Sequence, residues 1–247
     1  MKKRRIIRLI VVVAMVILGV SFTVAKQIRF LMSADYFKIK EIISNDSNPV
    51  DLSDLRGENI FAVNLRQASE YITQQYPYYR RVRLVRILPN RIFVDFIKRK
   101  AMGLIKLYRY FCVDEEGVLF DTPEQLTSGQ DLPVILGLET KIFGPKLGKR
   151  YNIEELRLAL NLIKELKSNR VLKDYGISKV NVVSLATVSF FIRKGATEIE
   201  VKLGNAAIKD KIAILASLFR QGEADLVNIR YIDLRFKEPV IRFNDAK

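Results

Sequence analysis

The sequence predicts an α+β fold with a single N-terminal transmembrane helix. Three observations support this: a charge-free apolar run near the N-terminus, strand-like alternation over much of the chain, and separate stretches with helical spacing. From Gly103 onward strands dominate and two helices interrupt them, which is the pattern of an α+β domain. At 49% hydrophobic residues, the chain can bury a core, so a mainly disordered stalk is excluded.

The apolar run extends from Leu9 to Ala25 and contains no charged residue. At about 1.5 Å per residue it gives roughly 25 Å of helix, enough to cross the hydrocarbon core of a bilayer. We therefore predict a basic tail over residues 1–8 and a membrane anchor over residues 9–28. The anchor includes these apolar positions: Leu9, Val13, Val16, Leu18 and Phe22.

A topology signal precedes the anchor and consists of five basic residues: Lys2, Lys3, Arg4, Arg5 and Arg8. The positive-inside bias places the N-terminus in the cytoplasm and the bulk of the chain outside the cytoplasmic membrane. A cleaved signal peptide is the alternative, because Thr23 to Ala25 offers small residues for a peptidase. Signal peptides have apolar regions of only about 7 to 15 residues, so we favour a retained anchor.

The net charge of +15 indicates an anionic partner. Nucleic acid is scarce outside the cytoplasmic membrane, so we expect no nucleic-acid partner and consider anionic lipid headgroups instead. Basic residues are densest between Arg80 and Arg109, where ten cations accompany one acid, Asp95. The simpler explanation is that this stretch forms a solvated strand face. The alternative is that it contacts lipid or a partner.

Several enzyme classes are excluded by residue type. The chain has no histidine, which removes Ser-His and Cys-His nucleophiles and histidine metal sites, and it has no P-loop, GxGxxG or Ser-x-x-Lys motif. The acidic run Asp114 to Glu116 before Gly117 is typical of a turn, and a glycosidase pair there is a weaker alternative. The lone Cys112 lies in an apolar stretch and is expected to be buried and inert. We predict no catalytic residue, metal or cofactor.

Residues 36–102 predict a β-α-α-β-β unit. A strand over residues 36–43 precedes a short helical turn over residues 51–57, and Asn64 can cap a helix from Leu65 to Gln75. Two strands follow, joined by a turn at Pro89: residues 82–87 and residues 92–98. The helices must cover one face of this small sheet. The candidates for the core are Phe61, Leu65, Ile72, Val82, Leu84, Ile92, Val94 and Phe96.

Residues 103–247 predict a larger, mainly antiparallel β domain. Its expected strands cover residues 104–113, 118–121, 180–183, 187–192, 197–203, 226–236 and 240–243. For the first of its two helices we predict Asn152 as N-cap and Glu155 at the capping-box position. The helices carry two apolar stripes: Leu156, Leu160 and Ile163, and Ile208, Ile212, Leu215 and Phe219.

This layout resembles the FtsQ/DivIB family of bacterial cell-division proteins over nearly the whole chain. Residues 57–61 are similar to the family's G-x-N-I-F, residues 77–82 to its P-W/Y-V stretch, and residues 86–92 to its R-x-x-P-x-x-L. Further similar phrases are residues 113–120, 132–133, 203–204 and 232–236. The sequence differs from the family's pattern at these positions: Tyr78, Tyr79 and Ala101-Met102.

The resemblance implies a POTRA-like domain over residues 36–102 and an FtsQ-type β domain over residues 103–247. It also implies a non-enzymatic scaffold at the division site, which recruits FtsB- and FtsL-like bitopic proteins during septum formation. Other divisome proteins are further candidate partners. Matched by position, three residues resemble the family's FtsB-contacting positions: Arg235, Phe236 and Glu238.

A terminal edge strand is a plausible docking site, since its unpaired backbone groups can pair with a partner's strand. The alternative is that residues 226–236 and 240–243 form core or a covered edge. A POTRA-bearing component of a secretion or outer-membrane assembly system is a second function, but outer-membrane transporters need a β-barrel for which this chain has no room. An exported hydrolase is a third, and the sequence lacks its catalytic residues.

Overall fold

A computed structural model describes residues 2–33, 35–47, 50–121, 132–195, 197–220 and 228–244. The chain divides into two compact units, one formed by residues 1–75 with 79–98 and the other by residues 76–78 with 99–247. Each unit has its own β-sheet. The domain limits expected from the sequence, 36–102 and 103–247, stay predictions.

Helix α1 (Lys2–Ser33) contains a 19-residue segment, Val12–Phe30, that is long and apolar enough to cross a membrane. None of this segment is buried against the described residues, and Leu18 is 74% exposed. Apolar surface that the protein leaves uncovered gains from a hydrocarbon environment. The segment overlaps the predicted anchor, and it fits a single-pass membrane protein.

The first unit contains a three-stranded sheet in the order β1-β3-β2. Strand β1 (Glu41–Ser44) is parallel to β3 (Arg91–Lys98), and β2 (Tyr79–Ile87) is antiparallel to β3. Helix α2 (Leu65–Gln75) packs on β2. The first predicted helix is a single 3-10 turn, Ser53–Leu55, and another 3-10 turn, Asp35–Phe37, delays the start of β1.

The N-terminus of α2 forms as its sequence predicts. The side chain of Asn64 accepts a hydrogen bond from the N–H of Gln67 at 3.2 Å, so the predicted N-cap is confirmed. On the buried face of α2, Ile72 contributes to the core, whereas Leu65 is only half-buried.

Phe61 was wrongly placed in the core by the sequence pattern. It is 42% exposed, and its ring packs against Phe37 at a centroid distance of 5.2 Å. The side chain of Asn59 accepts a hydrogen bond from the N–H of Phe61 in a tight turn, and Ile60 is fully buried instead. The other predicted core residues of the two long strands are all buried: Val82, Leu84, Ile92, Val94 and Phe96.

The second unit contains a nine-stranded sheet in the order β12-β11-β10-β9-β8-β7-β4-β5-β6. The strands are β4 (Gly103–Lys106), β5 (Tyr110–Val113), β6 (Leu119–Phe120), β7 (Val134–Leu136), β8 (Gly176–Asn181), β9 (Ser189–Lys194), β10 (Thr197–Lys202), β11 (Ile229–Asp233) and β12 (Val240–Phe243). Three neighbouring pairs are parallel, namely β4 with β7, β7 with β8, and β10 with β11, and the other five are antiparallel.

Two helices contribute to the main core of this unit, α3 (Glu154–Ser168) and α4 (Ile208–Arg220). Both predicted apolar stripes are confirmed, because their residues are buried in or packed against this core. On β10, Ile199 and Val201 face the core, whereas Glu198 and Glu200 alternate with them and are more exposed. The sheet thus has one packed face and one polar face.

Several local features of this unit differ from the sequence expectations. The predicted strand over residues 104–113 is a hairpin, because the chain reverses where the N–H of Leu107 donates to the carbonyl of Arg109. Strand β7 was not predicted, since three residues give too short a pattern. Asn152 does not cap α3, whose N-cap is Ile153, and Glu155 is buried and forms an ion pair with Lys141 at 2.9 Å.

The contrast between Ile60 and Phe61 gives a test of the core of the first unit. Ile60→Ala should lower the free energy of unfolding by about 2–5 kcal/mol, because it leaves a cavity in a fully buried site. Phe61→Ala should cost less, since much of that ring stays in water. Protease cleavage of residues 79–98, followed across a denaturant series on the full chain in detergent, measures both. Equal losses, or a larger loss for Phe61→Ala, would contradict the assignment.

Candidate functional site

The two edge strands of the nine-stranded sheet, β6 and β12, differ in the backbone pairing of their outer edges. At the β6 end, the N–H of Gly148 donates to the carbonyl of Leu119 at 2.7 Å, and the N–H of Leu119 donates to Lys149 at 3.2 Å. A bridge between Val118 and Arg150 continues this pairing, so residues 148–150 cover β6. At the opposite end, β12 pairs with β11, and no described residue pairs with its outer edge. An edge strand with one row of backbone groups unpaired by described residues is a candidate for pairing with another strand.

Apolar side chains surround this open edge. Phe236 is 61% exposed and Phe243 is 53% exposed, and Val240 is exposed between them. Arg242 is exposed as well, while Ile241 packs partly against the core. A strand with free backbone groups and exposed apolar side chains is a favourable surface for adding a strand.

The three residues predicted to contact a partner lie together in the connection between β11 and β12. Arg235, Phe236 and Glu238 are all exposed, and none of them belongs to a strand. The sequence predicted that the strand reaches Phe236, but β11 ends at Asp233, and residues 226–227 lie outside the described residues. The alternative that Phe236 is a core residue is wrong, because its side chain is in solvent.

Asp233 and Arg235 hold this connection in place. The guanidinium donates to both carboxylate oxygens of Asp233, with distances of 2.6–3.1 Å, and the N–H of Arg235 donates to Asp233 Oδ1 at 3.0 Å. These bonds lower the pKa of the buried Asp233 carboxyl, although burial acts in the opposite direction. The guanidinium also lies 5.9 Å from the centre of the Phe236 ring. These contacts constrain the start of the connection.

Sequence reasoning missed Val240 and Phe243 as members of this surface. They lie in a strand that the sequence predicted, but the pattern did not show which of its sides is uncovered. Pro239 directly before β12 is the available signal, because a residue without N–H is typical of an edge strand.

Much of the basic stretch from Arg80 to Arg109 has structural roles. Arg86 donates to the carbonyls of Ile60 and Val63 at 2.7 and 2.9 Å, and Arg109 makes a two-bond pair with Asp121. For these two arginines the contacts are structural, which neither the solvated strand face nor the lipid or partner contact predicted.

The acidic run from Asp114 to Glu116 also has a structural role. Asp114 is buried and accepts a hydrogen bond from Arg99 at 2.6 Å and from the N–H groups of Glu116 and Val118 at 2.9 Å each. Cys112 is buried, as predicted. Within the described part of the chain, no group of three or more Cys, Asp or Glu residues could hold a metal ion.

Comparison with known proteins agrees with this geometry. The family model for the C-terminal part of the cell-division protein FtsQ/DivIB matches residues 105–235, which extend from β4 through β11 to Arg235. Most of the nine-stranded sheet therefore lies within the matched region.

Similar proteins come from several bacteria. A cell-division protein FtsQ of Geotalea daltonii is 27% identical over 223 residues, covering 86% of this chain and 78% of the relative. A cell-division protein DivIB of Clostridium botulinum is 23% identical, with 96% of this chain and 91% of the relative covered. An FtsQ of Koribacter versatilis is 24% identical over 76% of this chain, which spans about half (53%) of that relative. Because the family model matches more than half of its residues, this chain belongs to the FtsQ/DivIB family of cell-division proteins.

Proposed function

We propose that this chain is a non-enzymatic scaffold of the division machinery that binds FtsB- and FtsL-like bitopic proteins on its open β12 edge during septum formation. The observation that carries the proposal is the outer edge of β12, with which no residue in the described ranges pairs, beside exposed Phe236, Val240 and Phe243. Membership of a cell-division family supports the cellular role. Other divisome proteins are further candidate partners.

Strand addition explains how this edge would bind. An incoming strand pairs its N–H and C=O groups with those of β12, which gives affinity, while its alternate side chains meet the exposed apolar residues, which gives specificity. Phe236 is the best candidate for an energetic centre, because a large aromatic side chain loses much apolar surface to water when a partner covers it. Arg235 and Glu238 then form a charged rim at the start of the strand.

The proposed setting is the cytoplasmic membrane at the division site. Helix α1 is a retained single-pass anchor with the N-terminus in the cytoplasm, supported by its uncovered apolar surface and by the basic residues before it. This orientation places both units outside the cytoplasm, where the exported segments of bitopic partners are.

Phe236→Glu should weaken binding of an FtsB-like partner without unfolding the second unit. The exposed ring is not needed for the core, whereas a charge at the interface loses the contact and must be desolvated. We expect a cost on the order of 2–4 kcal/mol, which corresponds to about thirtyfold weaker binding or more. Pull-down of a detergent-solubilised FtsB- and FtsL-like complex, with thermal unfolding measured in parallel, provides both readouts.

Tyr110→Glu is the matched control for this experiment. Tyr110 is also an exposed aromatic residue of the same sheet, but it lies on β5, next to the covered edge. Its substitution should leave partner binding unchanged. Wild-type binding by a folded Phe236→Glu variant, or equal losses in the two variants, would refute the proposed site.

The Asp233–Arg235 pair predicts a pH dependence of stability. Its hydrogen bonds lower the pKa of Asp233 in the folded state from the ordinary value of 3.8, so the unfolded chain binds this proton more readily. The stabilisation is present above pH 3.8 and is lost as the pH falls through the lowered pKa. The difference in unfolding free energy between wild type and Asp233→Asn should therefore shrink in acid. Urea unfolding of the full chain in non-ionic detergent measures it, and a difference that stays constant would contradict the assignment.

A further inference from the structure

The loop between β7 and α3 exposes an aromatic side chain to solvent. Phe143 is 81% exposed, more than any other large apolar side chain whose burial is described, those of the membrane-compatible segment Val12–Phe30 included. In water this exposure is unfavourable, since a buried Phe would gain free energy from leaving solvent. The neighbouring Leu147 is also exposed, so the loop presents a small apolar tip.

Hydrogen bonds constrain the backbone on both sides of Phe143. On one side, Ile142 is buried and its N–H donates to the carbonyl of Leu138 at 3.0 Å. On the other side, the N–H of Lys146 donates to the hydroxyl oxygen of Tyr151 at 2.8 Å. Between these anchors Gly144 has a φ of 59°, which lets the chain reverse without strain. The tip is therefore presented outward by the fold.

Cations surround this tip. Lys146, Lys149 and Arg150 are exposed, and none of them forms an ion pair with an acid within the described part of the chain. Lys141, at the start of the loop, is paired with Glu155 at 2.9 Å, and Glu139 accepts a hydrogen bond from the N–H of Gly137 at 3.0 Å. The loop thus combines an exposed aromatic ring with three exposed cations for which no ion pair is described.

We propose that residues 141–150 form a lipid-contacting loop, which places Phe143 in the interface of a bilayer containing anionic phospholipid. Aromatic rings are favoured at the level of the headgroups, and nearby Lys and Arg side chains are attracted to negatively charged lipid. A polar protein surface would satisfy the cations but would leave the exposed ring without an apolar environment. A bilayer with anionic phospholipid gives the ring an apolar environment and also attracts the nearby cations.

The position of the loop suits this role. A chain anchored by α1 stays near the bilayer, which raises the local concentration of lipid that the loop encounters. Residues 148–150 cover β6, at the end of the sheet opposite to β12. Lipid at the loop and a protein partner at β12 can therefore be bound simultaneously.

The natural sequence has no tryptophan, so Phe143→Trp introduces a single fluorescent reporter. The full chain carrying this change is reconstituted into vesicles of phosphatidylcholine alone or mixed with phosphatidylglycerol, each with brominated acyl chains as quencher. We expect a blue-shifted emission and quenching about twofold stronger in the vesicles with phosphatidylglycerol. Reversing the charges with Lys146→Glu and Lys149→Glu should abolish this difference.

Tyr110→Trp is the matched control, because it places the reporter at an exposed aromatic position of the same unit outside the loop. Its quenching should be equal in the two kinds of vesicle. The proposal is overturned if Trp at position 143 stays equally accessible to aqueous iodide in both, or if it becomes shielded only after an acidic protein partner is added. Thermal unfolding of each variant confirms that the second unit is folded.

Discussion

The hydrogen-bonding groups at the two edges of the nine-stranded sheet are the constraint on which the proposed function depends. Every backbone N–H and C=O of a strand needs a partner, and an edge strand leaves one row of them open. At β6 the chain satisfies this row itself with residues 148–150. At β12 no described residue does so. Within the described residues the sheet is therefore asymmetric, with one edge that the chain covers itself and one edge that we propose for recognition.

The core and one ion pair of the second unit support the strand at this edge. Helices α3 and α4 contribute to the core on the packed face, and β11, which belongs to the same sheet, pairs with β12. The ion pair of Asp233 with Arg235 constrains the start of the connection that carries Phe236. A surface that is constrained before binding loses less conformational entropy when the partner arrives.

Sequence patterns predicted the parts of the fold that depend on local interactions. The bounds of α2, the apolar stripes of α3 and α4, and the two long strands of the first unit follow from periodicity and capping. Phe61 was misplaced because a turn at Asn59 decides which of two adjacent apolar residues points inward. The predicted partner-contacting residues lie beside β12 and stay a prediction, because which side chains are uncovered depends on strand order, and strand order is a property of the whole chain.

Hydrogen exchange of the full chain in detergent tests the central claim most directly. Amide exchange is compared with and without the exported segment of an FtsB-like partner. The account predicts slower exchange in β12 on binding, because its outer N–H groups become paired, and unchanged exchange at Leu119 and Gly148, whose N–H groups already donate to carbonyls within the chain. Binding that leaves the amides of β12 unprotected, or that protects another surface alone, would contradict it.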